Sequence, residues 1–347
     1  MTNEIDTDEL SERYRAKAIR LPTRELLISR LAGSDQEADF TLPPNCDGFG
    51  RVRHFRLAPP SSAWVANPLP ILPACKALGL PVADHVRAQA FQNAVCNWRC
   101  WYCYVPFNLL AGDEARSAWL SPDRLIAQFA DLTDRPSVID LTGGQPDLVP
   151  EWVPWTMSAL EQRGLRDQVY LWSDDNLSND YFWRFLSTED IDRIAQWKNY
   201  GRVCCFKGFD GASFAFNTGA TSDLFDRQFD LFRRLNNLGL DLYAYVTLTA
   251  PPSSSIRDGV RRFVDRLQDI DENLPLRTVP LEISIFSPVR SRLNLARSSS
   301  LSVQYDALDA FRLELESRFP SETRSLPITE VPLLGATTTF RRTSNER

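Results

Sequence analysis

The chain has 347 residues, an ordinary apolar fraction of 43% and a formal net charge of −6. That length holds one large α/β domain with an extension, or two small domains, and no apolar run is long enough to span a bilayer. The acidic balance weighs against a nucleic-acid partner, and the polar first twenty residues lack a signal-peptide core, so a cytoplasmic protein with no membrane partner is expected.

Residues 1–40 read as a helical or partly disordered leader, with leucines and isoleucines at near-helical spacing over 9–28. Residues 41–82 hold Pro43, Pro44, Pro59, Pro60, Pro68, Pro70, Pro73 and Pro81. Proline at that density excludes long helices and central strands. An extended wrap across another surface is expected, with a short strand at 50–57. From residue 88 strand and helix signals alternate. Strands are expected at 88–95, 137–141, 168–172, 202–206, 240–248 and 279–286. Helices are expected at 122–132, 151–163, 187–197, 222–237, 256–267 and 304–318. Ser187 and Asp190 form a cap pattern before the third helix. Leu224, Phe225, Phe229, Phe232 and Leu235 share one face of the fourth.

Six such units imply a parallel sheet with helices outside, an α/β fold built as a partial (β/α)6 TIM-like barrel with an N-terminal Pro-rich extension. Three segments follow: a leader and wrap at 1–87, the barrel at 88–292, and a C-terminal helix and tail at 293–347. In such barrels reactive groups gather at the C-terminal ends of the strands.

Seven cysteines suit a reducing compartment, and three of them, Cys96, Cys100 and Cys103, fall in one run after the first barrel strand. Cubane clusters normally take four thiolates, one per iron, so this C-x3-C-x2-C loop leaves one iron open. A zinc site would use four ligands in paired C-x2-C or Cys/His sets. The only histidines, His54 and His85, lie upstream at no such spacing. Leu141-Thr142-Gly143-Gly144-Gln145-Pro146 follows the second barrel strand.

These two motifs resemble the radical S-adenosylmethionine (SAM) superfamily. The resemblance spans residues 88–292 and implies a [4Fe–4S] cluster on Cys96, Cys100 and Cys103, with SAM's amino and carboxylate groups on the open iron. It implies that the backbone at Tyr102 meets the adenine. It also implies that Thr142, Gly143, Gly144, Gln145 and Pro146 approach the methionine end, Gln145 standing where glutamate is commoner. Ser173, Asp174 and Asn176 either meet the SAM ribose or carboxylate, or form an Asx-turn and cap. Lys207 either meets the SAM carboxylate or an anionic substrate group, or is solvated at the rim. Cys205 replaces an aspartate of the family pattern there. Arg290, with Arg292, either clamps a carboxylate or phosphate at the mouth or is solvated. Cys204 and Cys205 read as small hydrophobes.

The implied reaction is reductive cleavage of SAM to a 5′-deoxyadenosyl radical that abstracts hydrogen from a substrate, with an electron donor such as flavodoxin or ferredoxin. Residues 206–210 look most like the glycyl-radical activating-enzyme branch, so a protein or peptide substrate is expected. A small-metabolite substrate, a nucleoside- or tRNA-modifying enzyme, a cluster-holding sensor and a structural zinc module stay open.

Overall fold

The computed structural model describes residues 4–59, 61–253 and 255–335; residues 1–3, Pro60, Ser254 and 336–347, and with them the ends of the leader and of the tail, lie outside the described residues. Its strands, in chain order, are β1 (Ile19–Arg20), β2 (Glu25–Ser29), β3 (Gly50–Arg56), β4 (His85–Asn93), β5 (Ser117–Leu120), β6 (Val138–Gly143), β7 (Tyr170–Asp175), β8 (Tyr200–Phe206), β9 (Leu242–Thr247) and β10 (Thr278–Leu281). All belong to one ten-stranded sheet. Neighbours along β4-β6-β7-β8-β9-β10 are parallel, and β2 and β3 add antiparallel to β4. The helices used below are α1 (Thr7–Ala18), α2 (Ile71–Leu78), α3 (Pro122–Ala130), α4 (Trp152–Gln162), α5 (Tyr181–Phe185), α6 (Thr188–Gln196), α7 (Gly211–Thr218), α8 (Leu224–Asn236), α9 (Ile256–Gln268), α10 (Ser287–Arg290) and α11 (Leu295–Arg318). Each parallel strand leads to a helix, α3, α4, α6, α8, α9 and α11 in turn. The fold is the partial (β/α)6 TIM-like barrel expected from the alternation.

Side chains alternate across a strand, so each barrel strand serves two cores. Ile139, Leu141, Leu171, Cys204, Phe206 and Val246 face the helices. Val138, Tyr170, Trp172, Val203, Tyr243 and Tyr245 face the lumen, where they meet Leu69 and Ala74 from the start of α2 and its approach. The Pro-rich segment therefore does more than wrap. Its helix is only two turns long, as the prolines require, but it fills the barrel from inside. Asn67 Nδ2 donates to the Tyr245 hydroxyl at 3.2 Å, and Trp64 Nε1 donates to the Pro280 carbonyl at 3.1 Å. These contacts bridge from the β4 side of the barrel to β9 and β10.

Two expectations are corrected. The helical reading of 9–28 fails beyond Ala18. Asp6 caps α1 by accepting from the Glu9 amide at 2.9 Å, but Pro22 biases Leu21 away from helix. Leu26, Leu27 and Ile28, all 1% exposed or less, then serve as a strand paired to β5. The last barrel strand stops at Leu281, where β9 ends at Thr247. Beyond it, Gln304 of α11 takes over the backbone, accepting from Ile283 N at 2.9 Å and donating to its carbonyl at 3.3 Å. No helix among the described residues is long and apolar enough to cross a membrane.

Candidate active site

The cysteine loop leaves the C-terminal end of β4 and is fixed mainly by backbone bonds. Cys96 N donates to Leu110 O at 3.1 Å, and Arg99 N and Trp101 N donate to the Thr218 and Asn217 carbonyls of α7 at 3.1 and 3.2 Å. Trp98 and Trp101, each 1% exposed, anchor the loop from beneath. Their indole N–H groups reach Thr7 Oγ1 at 3.0 Å and Asn217 Oδ1 at 3.1 Å. Helix α7, absent from the sequence reading, exists because Asp210 and Ser213 form a reciprocal capping box. Arg292 clamps the far side, donating to the carbonyls of Cys103 at 2.6 Å and Val105 at 2.9 Å. Cys96, Cys100 and Cys103 themselves are free and only partly covered.

The turn after β6 is stitched directly onto this loop. Gly144 N donates to Asn93 O at 3.1 Å and Gln145 N to Val95 O at 2.8 Å. A side chain at Gly144 would fall on the Val95 carbonyl, so glycine is demanded by the approach of two backbones. Gln145 is buried, donating to Asp175 Oδ1 at 2.7 Å and accepting from Asn176 N at 3.0 Å. Pro146 begins a short 3-10 turn beside it. Asp175 in turn receives Arg202, which also pairs with Asp147; all three are at most 5% exposed at the side chain. This ion network was not foreseen. Its one signal was a charge, Arg202, opening an otherwise apolar strand.

Strand alternation sorts the remaining candidates. Thr142, Asp174, Lys207 and Thr247 lie on the lumen side of the mouth. Thr142 Oγ1 donates to Asp174 Oδ2, and the Tyr102 hydroxyl meets Thr247 Oγ1 at 3.0 Å. Ser173 points the other way and bonds the Tyr200 hydroxyl at 2.8 Å within the helix-side core. Asn176 lies beside the loop, its amide 3.9 Å from Cys96 Sγ and 3.3 Å from Asn97 Oδ1. Arg290 is exposed at the end of α10.

Burial pushes all three loop thiols up, Cys100 to about 12. Burial alone would lower the Lys207 ammonium, but Cys205, Tyr102, Cys100 and Cys96 facing it hold it well above its ordinary value. Lys207 is thus a cation within the field of the loop, on the same strand face as Cys205. Cys204 faces the helices and is fully buried.

The residues fit a cluster with a polar ligand beside it. The Asn176 Oδ1, Asn93 Oδ1 and both Gln92 amide atoms are buried near the loop without a hydrogen-bond partner. Native proteins leave few such groups unsatisfied. Among the described residues no three His, Cys, Asp or Glu side chains are disposed to hold a single metal ion. A cubane does not ask for that, since each thiolate binds a different iron.

No protein-family model matches the chain, and no curated protein matches it. Among solved structures it is similar to Streptococcus suis SuiB bound to precursor peptide SuiA, at 15% identity and a TM-score of 0.36 over 52% of this chain and 36% of that one. SuiB bound to S-adenosylmethionine aligns at 15% identity and a TM-score of 0.37, over 52% and 37%. A spore photoproduct lyase mutant with bound AdoMet and dinucleoside spore photoproduct aligns at 13% identity and a TM-score of 0.43, over 69% and 75%. The chain therefore spans little more than a third of the SuiB chain it matches.

Proposed function

We propose that this chain is a radical SAM enzyme. The observation that carries the reading is the joining of its two motifs. The three-cysteine loop and the Gly-Gly turn leave adjacent parallel strands at the same end of the barrel, and two backbone hydrogen bonds, Gly144 N to Asn93 O and Gln145 N to Val95 O, lock them together. In this reading Cys96, Cys100 and Cys103 hold a [4Fe–4S] cluster. Tyr102, Thr142, Gly143, Gly144, Pro146, Asp174 and Asn176 surround the SAM site. Gln145 acts from behind as a positioning residue, and Ser173 stays outside the set. With both groups bound, the cofactors supply reductive cleavage of SAM and abstraction of a hydrogen atom from the substrate.

The chain's own residues then have defined tasks. Trp98, Trp101 and α7 hold the loop rigid and exclude water from its underside. Lys207 supplies a fixed positive charge toward the loop. Asn176 donates toward the Cys96 sulfur. We further infer a flavodoxin- or ferredoxin-type electron donor and a protein or peptide substrate in the manner of activating enzymes, a kinship supported by residues 206–210. Arg290, exposed at the rim, is placed on the substrate's approach.

Two measurements test this reading. Anaerobic reconstitution with iron and sulfide, followed by SAM and dithionite, yields 5′-deoxyadenosine from the wild type and none from Cys100→Ala. A wild type that binds a four-iron cluster and SAM but forms no 5′-deoxyadenosine, with or without candidate substrates, overturns it. Hydrogen bonds to cluster sulfurs raise the reduction potential. Asn176→Ala, which removes the donor 3.9 Å from Cys96 Sγ, therefore gives a more negative midpoint potential at unchanged iron content.

A further inference from the structure

A cavity of about 240 Å³ lies between β3 and the 35–41 segment. Gln36, Phe40, Arg51, Arg53, Tyr104 and Phe286 line it. We propose that this cavity binds an organic anion, a carboxylate or a phosphate ester, with Arg51 as the group that takes its charge. That the anion belongs to the substrate rests on the function proposed above; that the cavity binds it does not.

The two arginines stand two residues apart on β3 and so share a face. They are not equivalent. Arg53 Nη1 lies 2.5 Å from Asp140 Oδ2, a fully buried carboxylate, and its charge is answered. Arg51 has no carboxylate within ion-pair distance among the described residues. Its guanidinium lies between the rings of Phe40 and Tyr104, at 4.8 and 5.3 Å from their centroids. Ring contacts satisfy few of its five donors, and burial works against its charge. The one carboxylate on the cavity rim, Asp39, is engaged elsewhere, accepting from Ser287 N and Oγ at 3.0 Å each.

Gln36 supplies an independent sign of a missing ligand. It is 1% exposed, lines the cavity, and neither its amide oxygen nor its nitrogen has a partner. An unpaired buried amide carries a desolvation penalty that a polar ligand would relieve. Its donor and acceptor suit a second polar group next to the anion, such as an amide or amine.

The cavity lies against the cysteine loop. Tyr104 follows Cys103, forms the shared wall, and reaches Thr142 Oγ1 with its hydroxyl at 3.4 Å. The size points to a small group. It falls just under the roughly 300–1,000 Å³ of drug-sized sites. That volume suits an amino-acid-sized body with an acidic group.

The test is isothermal titration of the full-length protein, as purified, with inorganic phosphate and separately with glutarate, at 0.15 M salt. Wild type binds at least one saturably; which of the two binds more tightly identifies the anion as phosphate or carboxylate. Arg51→Gln weakens that binding at least tenfold. Arg312→Gln, at an exposed position, does not. Gln36→Leu weakens binding while the melting temperature holds or rises, since an unpaired amide has been removed, so weakening there does not reflect misfolding. Absence of saturable binding of both anions to wild type overturns the proposal, as does equal binding by Arg51→Gln. Failure of SAM cleavage with intact anion binding would sink only the enzyme reading; the converse would sink only this one.

Discussion

Gly144→Ala is expected to abolish assembly of the proposed cluster and to destabilise the chain by about 3 kcal/mol or more, the upper end for overpacking. The added methyl would land on the Val95 carbonyl, with Asn93 O 3.0 Å away. Both obstacles are backbone, so no side chain can swing aside. The turn would have to retreat, breaking the bonds from Gly144 N and Gln145 N that tie it to the start of the cysteine loop. Iron and sulfide content after anaerobic reconstitution, with melting temperature, reads both effects. Gly239→Ala is the control. Gly239 has φ of +71° with nothing within 4 Å of a new methyl, so it costs only the left-handed backbone, about 1–2 kcal/mol, and leaves the cluster intact. Full cluster loading of Gly144→Ala would show that the joint between the two motifs is dispensable.

Arg202→Met is expected to cost about 3–5 kcal/mol, the usual consequence of removing one partner from a buried ion pair. Arg202 is fully buried, and its Nη2 serves both Asp147 and Asp175, the latter at 2.8 Å. Without it two carboxylates face each other away from water. Asp175 also accepts from Gln145 Nε2 at 2.7 Å and from Leu177 N at 2.8 Å, so its displacement loosens the turn behind the proposed SAM site. Thermal unfolding by circular dichroism measures the loss. Adding Asp147→Asn to Arg202→Met removes one of the repelling charges and restores part of the stability. If the double variant is no more stable than the single one, the loss comes from packing and not from the stranded charges.

The barrel was legible in the sequence because its strands are buried on both faces. Runs such as Tyr170-Leu171-Trp172 and Val203-Cys204-Cys205-Phe206 need no alternation to be read, and their helices carry apolar stripes. The cysteine loop and the Thr-Gly-Gly turn were legible because their chemistry is local. Facing was not. Ser173 and Asp174 are adjacent, and only the register of β7 decides that one meets Tyr200 and the other Thr142. Arg51 and Arg53 carried no signal either, since charged residues on a predicted edge strand ordinarily point to solvent. Pairing of β3 with β4 turns them instead toward Asp140 and Tyr104. Helix α2 was hidden by the prolines around it, and α7 by an apolar composition without a polar face.

The helix that fills the barrel also fixes an order of events on the ribosome. Asn67 waits for Tyr245, 178 residues later, and Trp64 waits for Pro280, 216 residues later. At roughly 5–20 residues per second that last interval is about 10–40 s. Throughout it the apolar approach to α2 has no lumen to enter. Contacts of such long separation also make the final collapse slow. The apolar lining of the lumen is therefore completed only while the C-terminal third of the polypeptide is being made.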